Sequence, residues 1–289
     1  MTAMKMKSYL FIGVMFLMCQ NLYAQIPQPA RPRDFSSRTS IDSVSFQVTY
    51  SSRIRRVLHV ESYSSDLQIL EIGSKHSRYY SRYAEIADSV YTNFKESANF
   101  GRDENGYVRE GTYEDIFINY PDQNKISVVT RYLKKSFVYE EECPELEWTI
   151  SSETETILGY ECTKATASFR GRTWYAWFTM DIPLNYGPWK LSGLPGLILK
   201  AEDADRYFTF EAVGIKQNVR KPIMMFDEKM QKCKRKEVLV LNDLRWKDSD
   251  FLLKLMSGQD VLTADPNSIA NAIKNNPTPE VVIPQKELE

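Results

Sequence analysis

Residues 157–200 read ILGYECTKATASFRGRTWYAWFTMDIPLNYGPWKLSGLPGLILK, and their punctuation dictates strand, tight turn, strand, ordered loop, strand. Gly171, between Arg170 and Arg172, closes a short turn joining Tyr160–Phe169 to Thr173–Met180. Along the second strand, Trp174, Ala176, Phe178 and Met180 share one face, and Tyr175, Trp177 and Thr179 the other. Aromatic rings on both faces predict that neither face is bathed in water. Pro183, Gly187-Pro188 and Pro195-Gly196 then interrupt the pattern. Leu194-Pro195-Gly196-Leu197 suits a type II turn, with proline presetting φ at the second position and Gly196 at positive φ at the third. Leu197-Ile198-Leu199 is a short apolar run that predicts a buried strand.

Upstream of this stretch the alternation continues. Val44, Phe46 and Val48 predict one half-buried strand, and Asp66–Gly73 a second. Ile116–Ile118, Ile126–Leu133 and Phe137–Glu140 predict three more, with Trp148 and Ile150 continuing the meander. Tyr207–Val213 alternates as one further long strand. No crossover helix separates these strands, so sequence neighbours are expected to pair antiparallel. Tyr79, Tyr83, Ile86, Ala87, Val90 and Phe94 recur at helical spacing and predict one helix over about Ser77–Lys95. After Gly214 the character changes: Pro222–Phe226 is an apolar run, Lys232–Lys236 is basic, and Asp248–Met256 and Asp265–Asn275 predict two short helices.

The expected fold is therefore mainly β: an antiparallel, strongly curved sheet or incomplete barrel with one packing helix and a mixed α and irregular C-terminal region. The expected organisation is a signal peptide over 1–24, a flexible leader over 25–40, a β-rich core domain over 41–217, and a C-terminal appendage over 218–289. Lys5 and Lys7 followed by the apolar Tyr9–Met18 mark the signal peptide. Its apolar run is shorter than the ~20 residues a spanning helix needs. Cys19 leaves lipid attachment open, but the bulky Met18 before it disfavours that reading. No later stretch is apolar enough to cross a membrane.

Removing residues 1–24 takes Lys5 and Lys7 with it and leaves 35 basic against 38 acidic side chains, a balance unlike that of nucleic-acid binders. Cys143, Cys162 and Cys233 remain, and an exported protein is expected to join two of them, Cys143 to Cys162, leaving Cys233 free. With no C-x-x-C and only His59 and His76 as imidazoles, neither a metal site nor a cofactor site is expected. Any hydrolytic triad must recruit one of those histidines, and neither lies in a nucleophile-elbow context. Glu140, Glu141, Glu142, Glu145 and Glu147 read as a solvated, self-repelling loop.

Gly193-Leu194-Pro195-Gly196-Leu197-Ile198 spells the signature of the GLPGLI family. Gly159–Ala165, Trp174–Thr179, Ile182-Pro183 and Gly187-Pro188-Trp189 resemble the rest of that family's core. The resemblance implies an exported protein of Gram-negative bacteria, often encoded near TonB-dependent outer-membrane receptors, with no established activity. The function expected is non-enzymatic: binding of a hydrophobic small molecule or an outer-membrane partner through a sheet face walled by Tyr175, Trp177, Trp174, Phe178 and Trp189. Gly193, Pro195 and Gly196 are expected to be architectural. The alternatives are a structural accessory of an outer-membrane receptor and a hydrolase using His59 or His76.

Overall fold

The structure is a computed structural model that describes residues 32–55, 63–94, 111–132, 135–247 and 286–287. These belong to two compact units, one formed by 30–235 with 282–289, the other by 1–29 with 236–281. Among the described residues, the first unit carries fourteen strands. In chain order they are β1 (Arg38–Ser43), β2 (Phe46–Arg55), β3 (Tyr63–Ile72), β4 (Ser77–Ser81), β5 (Glu114–Ile118), β6 (Lys125–Tyr132) and β7 (Lys135–Glu142). They continue as β8 (Thr149–Ile157), β9 (Tyr160–Phe169), β10 (Arg172–Thr179), β11 (Leu197–Asp203), β12 (Phe208–Gln217), β13 (Pro222–Phe226) and β14 (Gln231–Lys232). Helix α1 spans Arg82–Phe94, and α2 spans Arg235–Lys247. Along α2, Val238, Leu241 and Leu244 form the buried stripe of an amphipathic helix.

Twelve strands form one sheet in the order β14-β7-β6-β5-β4-β3-β2-β12-β11-β10-β9-β8. Every pair is antiparallel except the two-residue β14–β7 contact. The chain starts near the middle, meanders out to β7, reappears at the far edge as β8, and meanders back until β12 pairs with β2. Only Cys143–Trp148 joins β7 to β8. Laid flat, the ten intervening spacings would hold these strands ~48 Å apart at ~4.8 Å each. Seven residue steps from Glu142 to Thr149 reach ~25 Å at most. The sheet must therefore curl, as the sequence predicts, yet β7 and β8 do not pair and no barrel closes.

Two-residue hairpins make the tight meander on one side. Leu158-Gly159 and Arg170-Gly171 all have positive φ, the conformation of the turn that matches strand twist. The face carrying Tyr50, Leu70, Tyr79, Ile116, Phe210 and Trp174 is buried throughout. The opposite face is covered over β4–β6. There β1 and β13 pair as a separate ribbon, and Met225 and Phe226 pack on Phe117 and Val129.

Three expectations are corrected. The helix predicted from Ser77 begins only at Arg82, because Ser77–Ser81 pairs with both β3 and β5 before Ser81 Oγ accepts the Ala84 N–H and caps the first turn. The leader expected through residue 40 is already anchored at Arg33, whose guanidinium lies 3.6 Å from the Phe226 ring centroid and whose N–H donates to Asp88. The appendage expected from residue 218 supplies β13 and β14 to the β-rich unit. The predicted signal peptide and the helices predicted at 248–256 and 265–275 lie outside the described residues.

Candidate functional site

The long connection between β10 and β11 decides what fills the curl. Ile182, Trp189, Leu191 and Leu194 are buried along it, and Lys190 is only 2% exposed. The Trp189 ring lies tilted 5.5 Å from Trp174 and 5.5 Å from Phe169, while Trp174 also lies within 6.4 Å of Phe208 and Phe210. The loop is thus a plug for the concave face. Trp174, Phe178 and Trp189 are core residues and wall no open surface. That corrects the expected hydrophobic-ligand face, because a strand buried on its concave side spends those rings on packing.

Gly193 and Gly196 hold this plug in place by two different means. Gly193 sits at φ 92, in the left-handed region. Gly196 does not adopt positive φ, contrary to the type II turn expected there. A Cβ on Gly196 would instead lie 2.0 Å from the carbonyl oxygen of Thr179. Pro195 lies between them in the same loop.

Tyr175 and Trp177 point the other way. On the outer face, Lys164 lies 5.1 Å from the Tyr175 ring centroid and 5.6 Å from that of Trp177, and Lys200 lies 4.6 Å from Trp177. Lys164 pairs with Glu153, and Lys200 with both oxygens of Glu155, at 2.8 Å each. Trp177 is 9% exposed beneath these lysines, and Tyr175 is more open. The alternation read from sequence separates the two faces, up to a register shift between Trp177 and Phe178.

A second polar cluster lies where the plug meets β7. Lys190 Nζ donates to Tyr139 Oη at 2.9 Å, to Glu141 Oε1 at 2.5 Å and to Glu287 Oε1 at 2.6 Å. Arg235 donates to Glu287 Oε2 at 2.6 Å, and Arg170 to Glu141 Oε2 at 2.8 Å. Burial alone would raise the Glu287 pKa, but Lys190 and Arg235 more than offset it and hold the carboxyl below its ordinary range. Sequence reading placed Glu141 in a solvated acidic loop. The available signal was a lysine set between Trp189 and Leu191, which demands a buried counter-charge. A third cluster, on the outer face, joins Arg131 to Asp88 through two 2.8 Å bonds and Arg78 to Asp115 at 2.6 Å.

The remaining candidates do not come together. None of Cys143, Cys162 and Cys233 is joined in a disulfide, which overturns the expected Cys143–Cys162 bridge. Cys143 follows β7 and Cys162 lies on β9, strands that pairing places near opposite ends of the sheet. Burial pushes the Cys162 thiol up to about 11, the state of an inert core residue. His76 Nδ1 lies 2.6 Å from the Asn119 carbonyl oxygen, and its ring meets Tyr120 edge-on. His59 lies outside the described residues. Among the described residues, no helix is long and apolar enough to cross a membrane, and no group of three His, Cys, Asp or Glu side chains is placed to hold a metal ion.

Comparison with known proteins resolves the affiliation. No curated protein matches the chain. Two crystal structures of PNGF-II, one in space group P21 and one in C2, are each similar at 19% identity and a TM-score of 0.46, covering 71% of this chain. The match covers 33% of those chains, so this chain spans about a third of their length. The sequence model described as "N-glycanase peptide, N-terminal domain" matches residues 89–248, more than half of the chain. This match replaces the affiliation to the GLPGLI family expected from the hexapeptide. The chain belongs to the family of the N-glycanase peptide N-terminal domain.

Proposed function

We propose that this chain is a non-catalytic, exported module of an N-glycanase-family protein, and that it engages glycosylated polypeptide through the outer face of β8–β11. The observation that carries the reading is the pair Tyr175 and Trp177, neighbours on the outward side of β10 and bordered by the Lys164–Glu153 and Lys200–Glu155 pairs. The C–H face of a pyranose stacks on the negative face of such rings. Lysine and glutamate supply the donors and acceptors that sugar hydroxyls need. Opening Trp177 requires moving Lys164 and Lys200 away from exposed partners, a change that costs about 0–1 kcal/mol per pair.

Titration with an N-glycopeptide and with the same peptide lacking its glycan tests the reading. The glycosylated form is expected to bind at least tenfold more tightly, and Tyr175→Ala or Trp177→Ala to erase the difference. Equal binding of the two peptides sinks the assignment. Incubating the chain with a denatured glycoprotein should release no glycan, and release would show that the chain is itself an enzyme. Export predicts that intact-mass measurement of the mature protein finds Gln25 at its N-terminus.

A further inference from the structure

At the junction of plug and β7, among the described residues, Lys190, Arg170 and Arg235 share two carboxylates, Glu141 and Glu287, and removing Glu287 takes away one of them. Lys190's side chain is fully withdrawn from solvent and Arg235's is 17% exposed, so water cannot readily balance the surplus charge. Glu287 supplies the balance with its two oxygens divided between two cations, Lys190 and Arg235. Beside it, Lys286 pairs with Glu114 at 2.9 Å and lies 5.4 Å from the Trp189 ring centroid. Two adjacent subsites of opposite charge preference therefore read two successive side chains, first a cation and then a carboxylate.

We infer that this junction is a peptide-recognition site for a lysine–glutamate dipeptide, filled in cis by Lys286–Glu287 and able to accept the same dipeptide in trans. The carboxylate subsite is Lys190, Arg235 and Arg170, with Glu141 and Tyr139 fixing the lysine. The cation subsite is Glu114 with the face of Trp189. Neither subsite overlaps the outer face assigned to glycopeptide, so the two readings fail separately.

The test uses the full chain carrying Lys286→Ala and Glu287→Ala. Its melting temperature is expected to fall by roughly 5–10 °C, the effect of an uncompensated buried charge. The free peptide PQKELE should restore most of that loss and bind with one-to-one stoichiometry, whereas PQKQLE should bind at least tenfold more weakly. Full-length parent protein should bind neither, its site being filled. An unchanged melting temperature, or equal binding of the two peptides, overturns the inference. If the double variant does not fold, Glu287→Ala alone is refolded in sodium acetate and in sodium chloride of equal ionic strength. Acetate raising the yield supports a carboxylate subsite, and equal yields overturn it.

Discussion

Gly196 has no room for a side chain. Any Cβ there would lie 2.0 Å from the Thr179 oxygen, 2.7 Å from the Thr179 carbonyl carbon and 3.2 Å from Met180 Cα. Those are backbone atoms at the end of β10, so relief requires moving a strand rather than turning a rotamer. Gly193 has the opposite problem: the space around it is open, with only Trp148 Nε1 at 3.9 Å, but its φ of 92 disfavours any L side chain. Gly196→Ala is therefore expected to destabilise by about 3 kcal/mol or more, and Gly193→Ala by only about 1–2 kcal/mol. Denaturant melts of the two variants check the order. A Gly193→Ala protein weaker than Gly196→Ala would mean that backbone conformation, not proximity, limits the plug.

At the scale of elements, what was legible depended on whether the deciding partner was local. The hairpin at Gly171 was readable because two turn residues set the register of both flanking strands, whereas the same device at Leu158-Gly159 was not singled out. The start of α1 was not readable, since Tyr79 fits the helical stripe but is claimed by β3 and β5 on either side. Of the five predicted binding aromatics, alternation alone put Tyr175 and Trp177 on one face and Trp174 and Phe178 on the other. Which face was concave, and hence dry, required knowing where the plug lies. The cysteines failed for a related reason: closeness in sequence does not set where a side chain lies, and Cys162 is buried on β9 while Cys143 is only half-buried after β7. Alkylation of denatured, unreduced protein should consequently label all three of Cys143, Cys162 and Cys233. Labelling of only one would restore a disulfide to the fold.

For the whole molecule the decisive contact is the pairing of β2 with β12, from Phe46 with Gln217 to Ile54 with Phe208. It turns two meanders into one curled sheet, and no local pattern in the sequence announces it. Two carboxylates, Asp42 on the β1–β13 ribbon and Glu287 against Lys190, make the stability acid-sensitive in a predictable direction. Burial would raise the Asp42 pKa, yet the N–H groups of His76, Lys75 and Ser43 and the Ser74 hydroxyl bring it down to about 2. Glu287 is likewise held low, by Lys190 and Arg235 with Arg170, Glu141 and Tyr139 alongside. Unfolded Asp and Glu titrate near ~3.9 and ~4.3. Both groups bind fewer protons folded than unfolded in that range, so their stabilisation is whole above about pH 5 and is lost as pH falls toward their folded pKa values. Asp66, Asp88 and Asp203 are raised by burial and act in the opposite sense, so the parent's total slope does not isolate either group. Differences between proteins do. Melting temperatures followed from pH 6 to pH 3 should converge for parent and Asp42→Ala, and for parent and Glu287→Ala, because acid removes from the parent what each substitution has already removed. A gap that stays constant across that range would show that the carboxylate charge contributes nothing at that position.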